Sequence, residues 1–259
     1  MNNMNNIVRT TLIKIPFVVS LYLFSKKLIA LPWFLSDYFK LKRLSKNGRF
    51  VIKLSELFPC LMDKTITTKF ESHYIYHPAW AARIIKKISP EKHIDISSSL
   101  HFSTMLSAFI PVEYYDYRPA PMNLDNLISK KANLISLPFE DGSIKSLSCM
   151  HVVEHIGLGR YGDPLDVDGD IKAIRELTRV LSVGGSLLFV VPVGKPKIQF
   201  NAHRIYSYEQ VVEYFADLKL KEFSLVPDDY VENGLIINAD PVLVRKQNWG
   251  CGCFWFTKE

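Results

Sequence analysis

The feature that most constrains the fold is a regular alternation of short apolar runs and amphipathic stretches from residue 78 onward. The run SLLFVVPV at 186–193 is almost entirely apolar, as expected of a strand that is covered on both faces. Before it, apolar residues recur at helical spacing through 170–181. Strands that alternate with helices are typical of a doubly wound α/β sheet with mainly parallel strands. We therefore predict that fold class.

The remaining elements follow from the same two periodicities. A helix is predicted to follow His77-Pro78, and a capping box at Ser207 opens another that runs to about Leu218. The turn Val183-Gly184-Gly185 is expected to stop the helix that precedes it. The other predicted strands are 93–96, 112–117, 132–137, 143–150, 221–226 and 251–257, with a short helix at 102–109.

Charge is distributed unevenly along the 259 residues. Residues 1–53 contain ten Lys or Arg and one acid, Asp37, whereas residues 54–259 contain 22 basic and 25 acidic residues, a net charge of −3. A nucleic-acid-binding domain would carry a basic excess, so we predict no nucleic-acid partner for the main domain. We therefore divide the chain into a basic, hydrophobic segment (1–55) and a main domain (56–259).

The segment 7–53 is apolar and basic, yet it contains no transmembrane span. Its longest stretch without charge has eleven residues, Ile15 to Ser25, whereas a spanning helix needs about 20. No small-x-small cleavage site follows, so a signal peptide fits poorly. Two interpretations remain: peripheral contact with an anionic membrane surface, or a pair of helices that covers the main domain or a second copy.

The four cysteines include no CxxC pair, so a zinc ribbon or a disulfide framework is not indicated. We expect a cytoplasmic protein, which could lie on the inner face of the cell membrane, and we assign no metal ligands. The sequence leaves the oligomeric state open.

Polar residues follow the predicted strands at four places, where a doubly wound sheet binds its ligands. They are DISSSLH from Asp95, then Asp116, NLISLPFED from Asn133, and CMHVVEHIG from Cys149. Asp116 comes 21 residues after Asp95, a spacing at which a carboxylate often accepts hydrogen bonds from both ribose hydroxyls of a nucleotide cofactor.

Two segments, ANLISLPFEDGSIKSLSCMHVVEHI and IRELTRVLSVGGSLLFVVPVG, resemble the central part of class I S-adenosylmethionine-dependent methyltransferases. The resemblance covers about residues 78–257. It implies a Rossmann-like methyltransferase fold with seven strands, the last antiparallel, and S-adenosylmethionine as cofactor. Within that superfamily, HVVEHIGLGRYGDP, FNAHRIYS and GCGCF resemble an uncharacterised bacterial and nematode subgroup. Some bacterial members are associated with surface-polysaccharide synthesis genes, which implies a saccharide or glycoconjugate acceptor.

The resemblance also assigns the cofactor residues. Asp116 would hold the ribose, Asn133 would face the adenine, and Leu134 would offer backbone groups or packing. The superfamily's first loop reads acid-x-Gly-x-Gly-x-Gly, but here Ser97, Ser99 and His101 replace the glycines after Asp95. Either the serines line an adjusted cofactor site, or they only cap the helix that begins near Phe102. Asp116 could likewise be a solvated carboxylate paired with Arg118.

Methyl transfer to a hydroxyl requires alignment and a base of near-neutral pKa, which histidine provides. His151 and His155 follow the fourth predicted strand, and Glu154 could orient one imidazole. Asn201, His203 and Arg204, after the next strand, are expected to bind the acceptor. Each histidine could instead have only a structural role.

Other functions were weighed against this one. His151-x-x-Glu154-His155 matches the HxxEH zinc-peptidase pattern, but that chemistry needs a long helix, and Gly157 would end one within a turn. The acidic stretch 162–170 lacks the spacing of a calcium loop, and Asp168 or Asp170 is better explained as a helix cap. A non-catalytic module that has lost cofactor binding through its glycine-poor loop is the main alternative to the enzyme.

Overall fold

The computed structural model describes residues 16–45 and 49–259. The chain divides into two compact units, one that ends at Lys69 and one that comprises Phe70–Glu259. The second unit contains the sheet and the cavity described below.

The second unit is built on a seven-stranded sheet in the order β3-β2-β1-β4-β5-β9-β8. Strand β9 pairs antiparallel with both neighbours, and the other pairs in the sheet are parallel. The predicted α/β class, strand number and antiparallel last strand are therefore confirmed. The strands are β1 (His93–Ile96), β2 (Val112–Asp116), β3 (Leu127–Lys131), β4 (Ile144–Met150), β5 (Leu181–Val193), a separate hairpin of β6 (Lys197–Gln199) and β7 (His203–Ile205), β8 (Lys219–Val226) and β9 (Gly250–Thr257).

The described α-helices connect and flank these strands. They are α1 (Pro16–Leu44), α2 (Ser72–Ile88), α3 (Leu100–Leu106), α4 (Gly169–Val180), α5 (Tyr208–Tyr214) and α6 (Tyr230–Asn233). Three short 3₁₀ helices cover Leu54–Glu56, Val153–His155 and Pro241–Lys246. The Ser207 capping box is present, and its side chain accepts a hydrogen bond from the Gln210 backbone amide.

Strand β5 explains why the centre of the sheet reads as one apolar run. Leu187, Phe189 and Val191 belong to one hydrophobic cluster, whereas Leu188 and Val190 belong to a second. Successive side chains of a strand point to opposite faces, so both faces of β5 are buried.

Two predicted elements are misplaced. Residues 132–137 are not the third strand, because Ser136 donates its backbone amide to the Asn133 carbonyl in a turn and the strand is Leu127–Lys131. This strand lies at the sheet edge, and its largely exposed residues LISKK do not show an apolar pattern. Helix α2 begins at Ser72 and runs through Pro78, whereas the sequence suggested a start after it.

One predicted stop signal and one predicted helix end are wrong, although the helix predicted at 170–181 ends within one residue of that prediction. Helix α4 ends at Val180 and Gly184-Gly185 lie within β5, where Gly184 has a φ of +75°. Helix α5 ends at Tyr214 instead of near Leu218. Asp168 stands at the N-cap of α4 but makes no side-chain capping bond, so its predicted role as a cap is not supported.

In the described part of the first unit, residues 16–44 form one long helix, whereas one of the two sequence interpretations had a pair of helices. Helix α1 has 29 residues and therefore extends about 44 Å. Large apolar side chains on it are exposed, among them Phe24, Ile29 and Phe39. Among the described helices, none combines the length and apolar content needed to cross a bilayer.

Candidate functional site

A cavity of about 360 Å³ lies at the carboxyl ends of the parallel strands. This is the edge at which open α/β sheets bind ligands. Its wall combines predicted site residues with several that the sequence analysis did not single out. The lining residues used below are Ser97, Asp116, Asn133, Leu134, His151, His155, Tyr161, Asp163 and Asp166.

The loop after β1 adopts a glycine-like conformation without glycine. Ser97 has a φ of +55°, in the left-handed region that favours glycine. Its backbone amide and its hydroxyl both donate to the Tyr115 carbonyl, at 2.8 and 3.1 Å. The His101 side chain is exposed and does not line the cavity. The serine substitution therefore leaves the crevice open.

Asp116 ends β2 at the cavity wall, half-buried. One carboxylate oxygen accepts the Arg118 backbone amide at 2.6 Å, and the other accepts the Tyr114 hydroxyl at 3.0 Å. The contact with Arg118 is thus made through its backbone. These two bonds fix the orientation of the carboxylate, as recognition of a paired diol would require.

Asn133 and Leu134 line the same cavity, in the turn that follows β3. The Asn133 side-chain oxygen accepts the Ile135 backbone amide at 3.2 Å, which fixes the side-chain amide plane. Leu134 is buried in the main hydrophobic cluster.

The other two predicted cofactor residues do not reach the cavity. Asp95 is fully buried and accepts hydrogen bonds from the Ser103 hydroxyl at 2.6 Å and from Ser148. Burial raises the pKa of Asp95 to about 6, although the serine hydrogen bonds oppose the shift. Ser99 caps α3, since its hydroxyl accepts the Phe102 amide at 3.4 Å. Of the two serine interpretations, Ser97 therefore lines the cavity and Ser99 serves as the cap.

His151 and Glu154 form a buried pair at the end of β4. His151 has a φ of +58°, and its Nδ1 lies 2.8 Å from Glu154 Oε1. Its other ring nitrogen, Nε2, lies 3.5 Å from the Cys251 Sγ. Glu154 thus orients the His151 imidazole, as expected, and points Nε2 towards β9.

His155 also lines the cavity, but its hydrogen bonds differ from those of His151. Its Nδ1 lies 2.6 Å from the Ala202 carbonyl, which can only accept a hydrogen bond, so Nδ1 carries the proton. In the neutral ring, Nε2 is then the basic nitrogen, 3.8 Å from Glu154 Oε1. Of the two histidines, His155 is therefore better placed to accept a proton.

The predicted acceptor residues Asn201, His203 and Arg204 do not line the cavity. The Arg204 guanidinium is buried and donates to the Ile156 and Val167 carbonyls at 2.6 and 3.2 Å, so it holds the wall in place. Asn201 is exposed, and the half-buried His203 stacks on Trp249 with a centroid distance of 6.0 Å.

The acidic loop after the 3₁₀ helix contributes two cavity residues, Asp163 and Asp166, to which the sequence assigned no role. Asp163 accepts the backbone amides of Gly157 and Tyr161, at 2.7 and 3.2 Å. Asp166 accepts from the Lys172 ammonium at 2.6 Å. These carboxylates are satisfied by the loop and by the helix that follows it, so they shape the wall.

Several buried polar atoms beside this wall have no hydrogen-bond partner. In the described part of the second unit they are His73 Nδ1, His77 Nε2, Glu154 Oε2 and His203 Nε2. Leaving a buried polar atom unpaired costs about 1–3 kcal/mol. Burial lowers the pKa of His73 to about 3, with His151 adding to the effect, and burial also lowers the pKa of His77. Both rings are therefore neutral near pH 7.

The zinc-peptidase alternative is not supported by this geometry. The pattern requires both histidines on one long helix, but only Val153–His155 is helical and it is a 3₁₀ turn. His155 Nδ1 is bound to a backbone carbonyl, and Cys251 lies near His151 but belongs to β9.

Comparison with protein families gives one match, over residues 141–219, to a family described as Caenorhabditis protein of unknown function, DUF268. The matched region includes HVVEHIGLGRYGDP. A search of curated proteins finds no match to this chain.

Solved structures resemble the fold at low sequence identity. A geranyl diphosphate methyltransferase in complex with SAM has a TM-score of 0.51 and 15% identity, with 70% of this chain and 85% of that chain covered. A protein from Galdieria sulphuraria, assigned as a sarcosine dimethylglycine methyltransferase, has a TM-score of 0.51 and 13% identity over 71% and 86%. One from Bacillus halodurans, assigned as a methyltransferase, has a TM-score of 0.50 and 13% identity over 70% and 98%. The second unit therefore has the Rossmann-like methyltransferase fold.

Proposed function

We propose that this protein is an S-adenosylmethionine-dependent methyltransferase that methylates a hydroxyl group of a saccharide or glycoconjugate. The observation that carries the proposal is the convergence of Ser97, Asp116, Asn133 and His155 on one cavity at the carboxyl edge of the sheet. The first three sit where a nucleoside is bound in this fold, and the fourth supplies a base on the same wall.

The residues present fit the cofactor. Ser97 keeps a glycine-like backbone, its hydroxyl is bonded to the Tyr115 carbonyl, and His101 lies away from the cavity. Asp116 would hold the ribose hydroxyls, Asn133 would meet the adenine, and Leu134 would pack beside it. When bound, S-adenosylmethionine supplies an electrophilic methyl group on a cationic sulfur.

The chain's own residues hold the acceptor and take its proton. His155 donates Nδ1–H to the Ala202 carbonyl, so its Nε2 can remove the proton of an acceptor hydroxyl. The buried Glu154 carboxylate, 3.8 Å from Nε2, stabilises the imidazolium that results. Proton removal makes the acceptor oxygen nucleophilic, and the cavity would hold this oxygen in line for methyl transfer.

The saccharide acceptor rests on the resemblance of HVVEHIGLGRYGDP, FNAHRIYS and GCGCF to the subgroup described above. A lining residue suited to a polyhydroxylated molecule supports it, because Tyr161 offers an aromatic ring and a hydroxyl. A transfer assay with methyl-labelled S-adenosylmethionine and a panel of saccharides tests this. We expect label in a saccharide product, and label in no acceptor would contradict the enzymatic function.

We also propose that the first unit contacts a membrane surface. Helix α1 exposes apolar residues such as Phe24 and Ile29 and ends in the basic residues Lys42 and Arg43. An exposed apolar and basic helix of this kind binds the headgroup region of anionic membranes. The protein would then act on the inner face of the cell membrane.

A further inference from the structure

A histidine and cysteine cluster that shares His151 with the cavity wall has the ligand chemistry of a transition-metal site. One ring nitrogen of His73, one of His151 and the Sγ of Cys251 lie within 4.8 Å of one another, and all three residues are buried. They come from α2, from the end of β4 and from the start of β9. Elements far apart in sequence therefore converge on one point.

The distance between two of the three ligand atoms matches that expected around a tetrahedral metal ion. Zinc binds imidazole nitrogen at about 2.0–2.1 Å and thiolate sulfur at about 2.3 Å, so a tetrahedral N–Zn–S edge is about 3.6 Å long. The separation between His151 Nε2 and Cys251 Sγ is 3.5 Å. A His73 ring nitrogen lies within 4.8 Å of both atoms, and rotation of this ring out of its stack on His151 would complete the triangle.

The surroundings of His151 match those of a metal ligand. Its Nδ1 is bound to the buried Glu154 carboxylate at 2.8 Å, which leaves Nε2 as the coordinating nitrogen. A carboxylate that fixes a histidine tautomer in this way is the usual outer-shell partner of a ligating histidine.

His73 provides an independent observation. Its Nδ1 is buried and lacks a hydrogen-bond partner. A hydrogen bond between the Cys251 thiol and His151 would explain that pair, but it leaves the His73 nitrogen unpaired. Coordination through His73 Nδ1 would give all three groups a partner in one metal ion.

We propose that His73, His151 and Cys251 bind a zinc ion that joins α2 to the carboxyl end of β4 and the amino end of β9. The donor set of two imidazoles and one thiolate suits zinc, and three protein ligands leave one coordination position for a further ligand. On binding, the thiol releases its proton to solvent and the thiolate coordinates the metal. The metal site shares His151 with the cavity wall, and Glu154 connects it to His155.

The test uses the purified full chain after removal of metal with a chelator, titrated first with Co²⁺ and then with Zn²⁺. We expect a thiolate-to-cobalt charge-transfer band at about one equivalent, displaced by zinc, and a rise in melting temperature with zinc. The variants Cys251→Ser and His73→Gln should weaken binding by more than the about 10–100-fold typical of losing an outer-shell partner. Cys60→Ser, at an exposed thiol, and Cys149→Ala, at a buried one, are matched controls that should bind as the parent does.

Absence of the charge-transfer band, or equal binding in Cys251→Ser, His73→Gln and the controls, would overturn the proposal. Zinc-edge X-ray absorption on the parent protein gives a measurement that does not depend on whether variants fold. One sulfur and two imidazole ligands are expected, and a sulfur-free shell would contradict the site. None of these readouts requires S-adenosylmethionine, so failure here leaves the transferase proposal to its own test.

Discussion

The two walls of the cavity are built in different ways. The strand-end wall consists of Ser97, Asp116, Asn133 and Leu134, and its polar groups bond to residues two positions away or in the adjacent strand. The histidine wall consists of His151 and His155, which flank the buried Glu154 carboxylate and contact Cys251 and Ala202, 100 and 47 residues away. The first wall is partly exposed, and its partners lie close by in the sequence. The second wall is buried, and its partners lie far away in the sequence. We infer that the first holds the cofactor and the second carries out the chemistry.

The largest effect is expected at the histidine wall. Replacing His155 by Gln removes the proposed base, so kcat should fall by about 100- to 10,000-fold. Affinity for S-adenosylmethionine should stay unchanged, because the strand-end wall is intact. Single-turnover methyl transfer together with calorimetry checks both quantities. An unchanged kcat, or an equal loss of cofactor affinity, would break the proposed division between the walls.

A smaller effect is expected at Asp116, where the change should appear in cofactor affinity and not in kcat. Asp116→Asn keeps the shape but loses charge-assisted hydrogen bonds to the ribose, so the Kd for S-adenosylmethionine should rise by about 10–100-fold. Asp125→Asn, at an exposed acid outside the cavity, is the control. If both variants bind the cofactor as tightly as the parent, Asp116 is only a strand-end carboxylate.

The buried Asp95 carboxyl of β1 should make the stability of the folded protein depend on pH. Burial raises its pKa from 3.8 to about 6, so the folded state holds this proton more tightly than the unfolded chain. Its contribution to folding is therefore fully present at low pH and is lost as pH rises through this window, with a slope of at most about 1.4 kcal/mol per pH unit. Asp95→Asn lacks this dependence.

Urea unfolding of the parent and of Asp95→Asn at several pH values measures the effect. The free energy of unfolding of the variant, relative to the parent, should rise between pH 4 and pH 6 and then level off. A difference that is the same at every pH would show that Asp95 titrates normally.

The smallest effect concerns the first unit. One basic residue near an anionic surface contributes about 1 kcal/mol, so Lys40→Gln should weaken binding to phosphatidylglycerol-containing vesicles about fivefold. Lys195→Gln, at an exposed position of the second unit, removes the same charge and should leave vesicle binding unchanged. Equal behaviour of the two variants, or no vesicle binding by the parent, would remove the membrane proposal.

The difference between the walls also explains what the sequence could predict. Asp116 and His151 follow apolar strands, and parallel strands end at one edge, so their proximity follows from the fold. The sequence does not indicate His73, because the predicted helix follows Pro78 whereas the helix of the structure begins at Ser72. Cys251 opens a predicted strand (251–257), and no local pattern links it to His151.

The edge strand was missed for a related reason. Residues LISKK of β3 are mostly exposed, so they lack the apolar signal that the neighbouring ANLISL carries. Arg204 was expected to bind the acceptor, but its donors are used by the Ile156 and Val167 carbonyls. Side-chain partners of this kind depend on loop conformation, which residue spacing alone does not determine.

The central claim is that the cavity binds the cofactor although Ser97 stands where a glycine is customary. Titration calorimetry of the full chain with S-adenosylmethionine and S-adenosylhomocysteine tests it most directly. The account predicts saturable one-to-one binding of both, weakened by Asp116→Asn. No heat of binding with either compound at millimolar concentration would contradict it and would leave a methyltransferase fold that does not bind the cofactor.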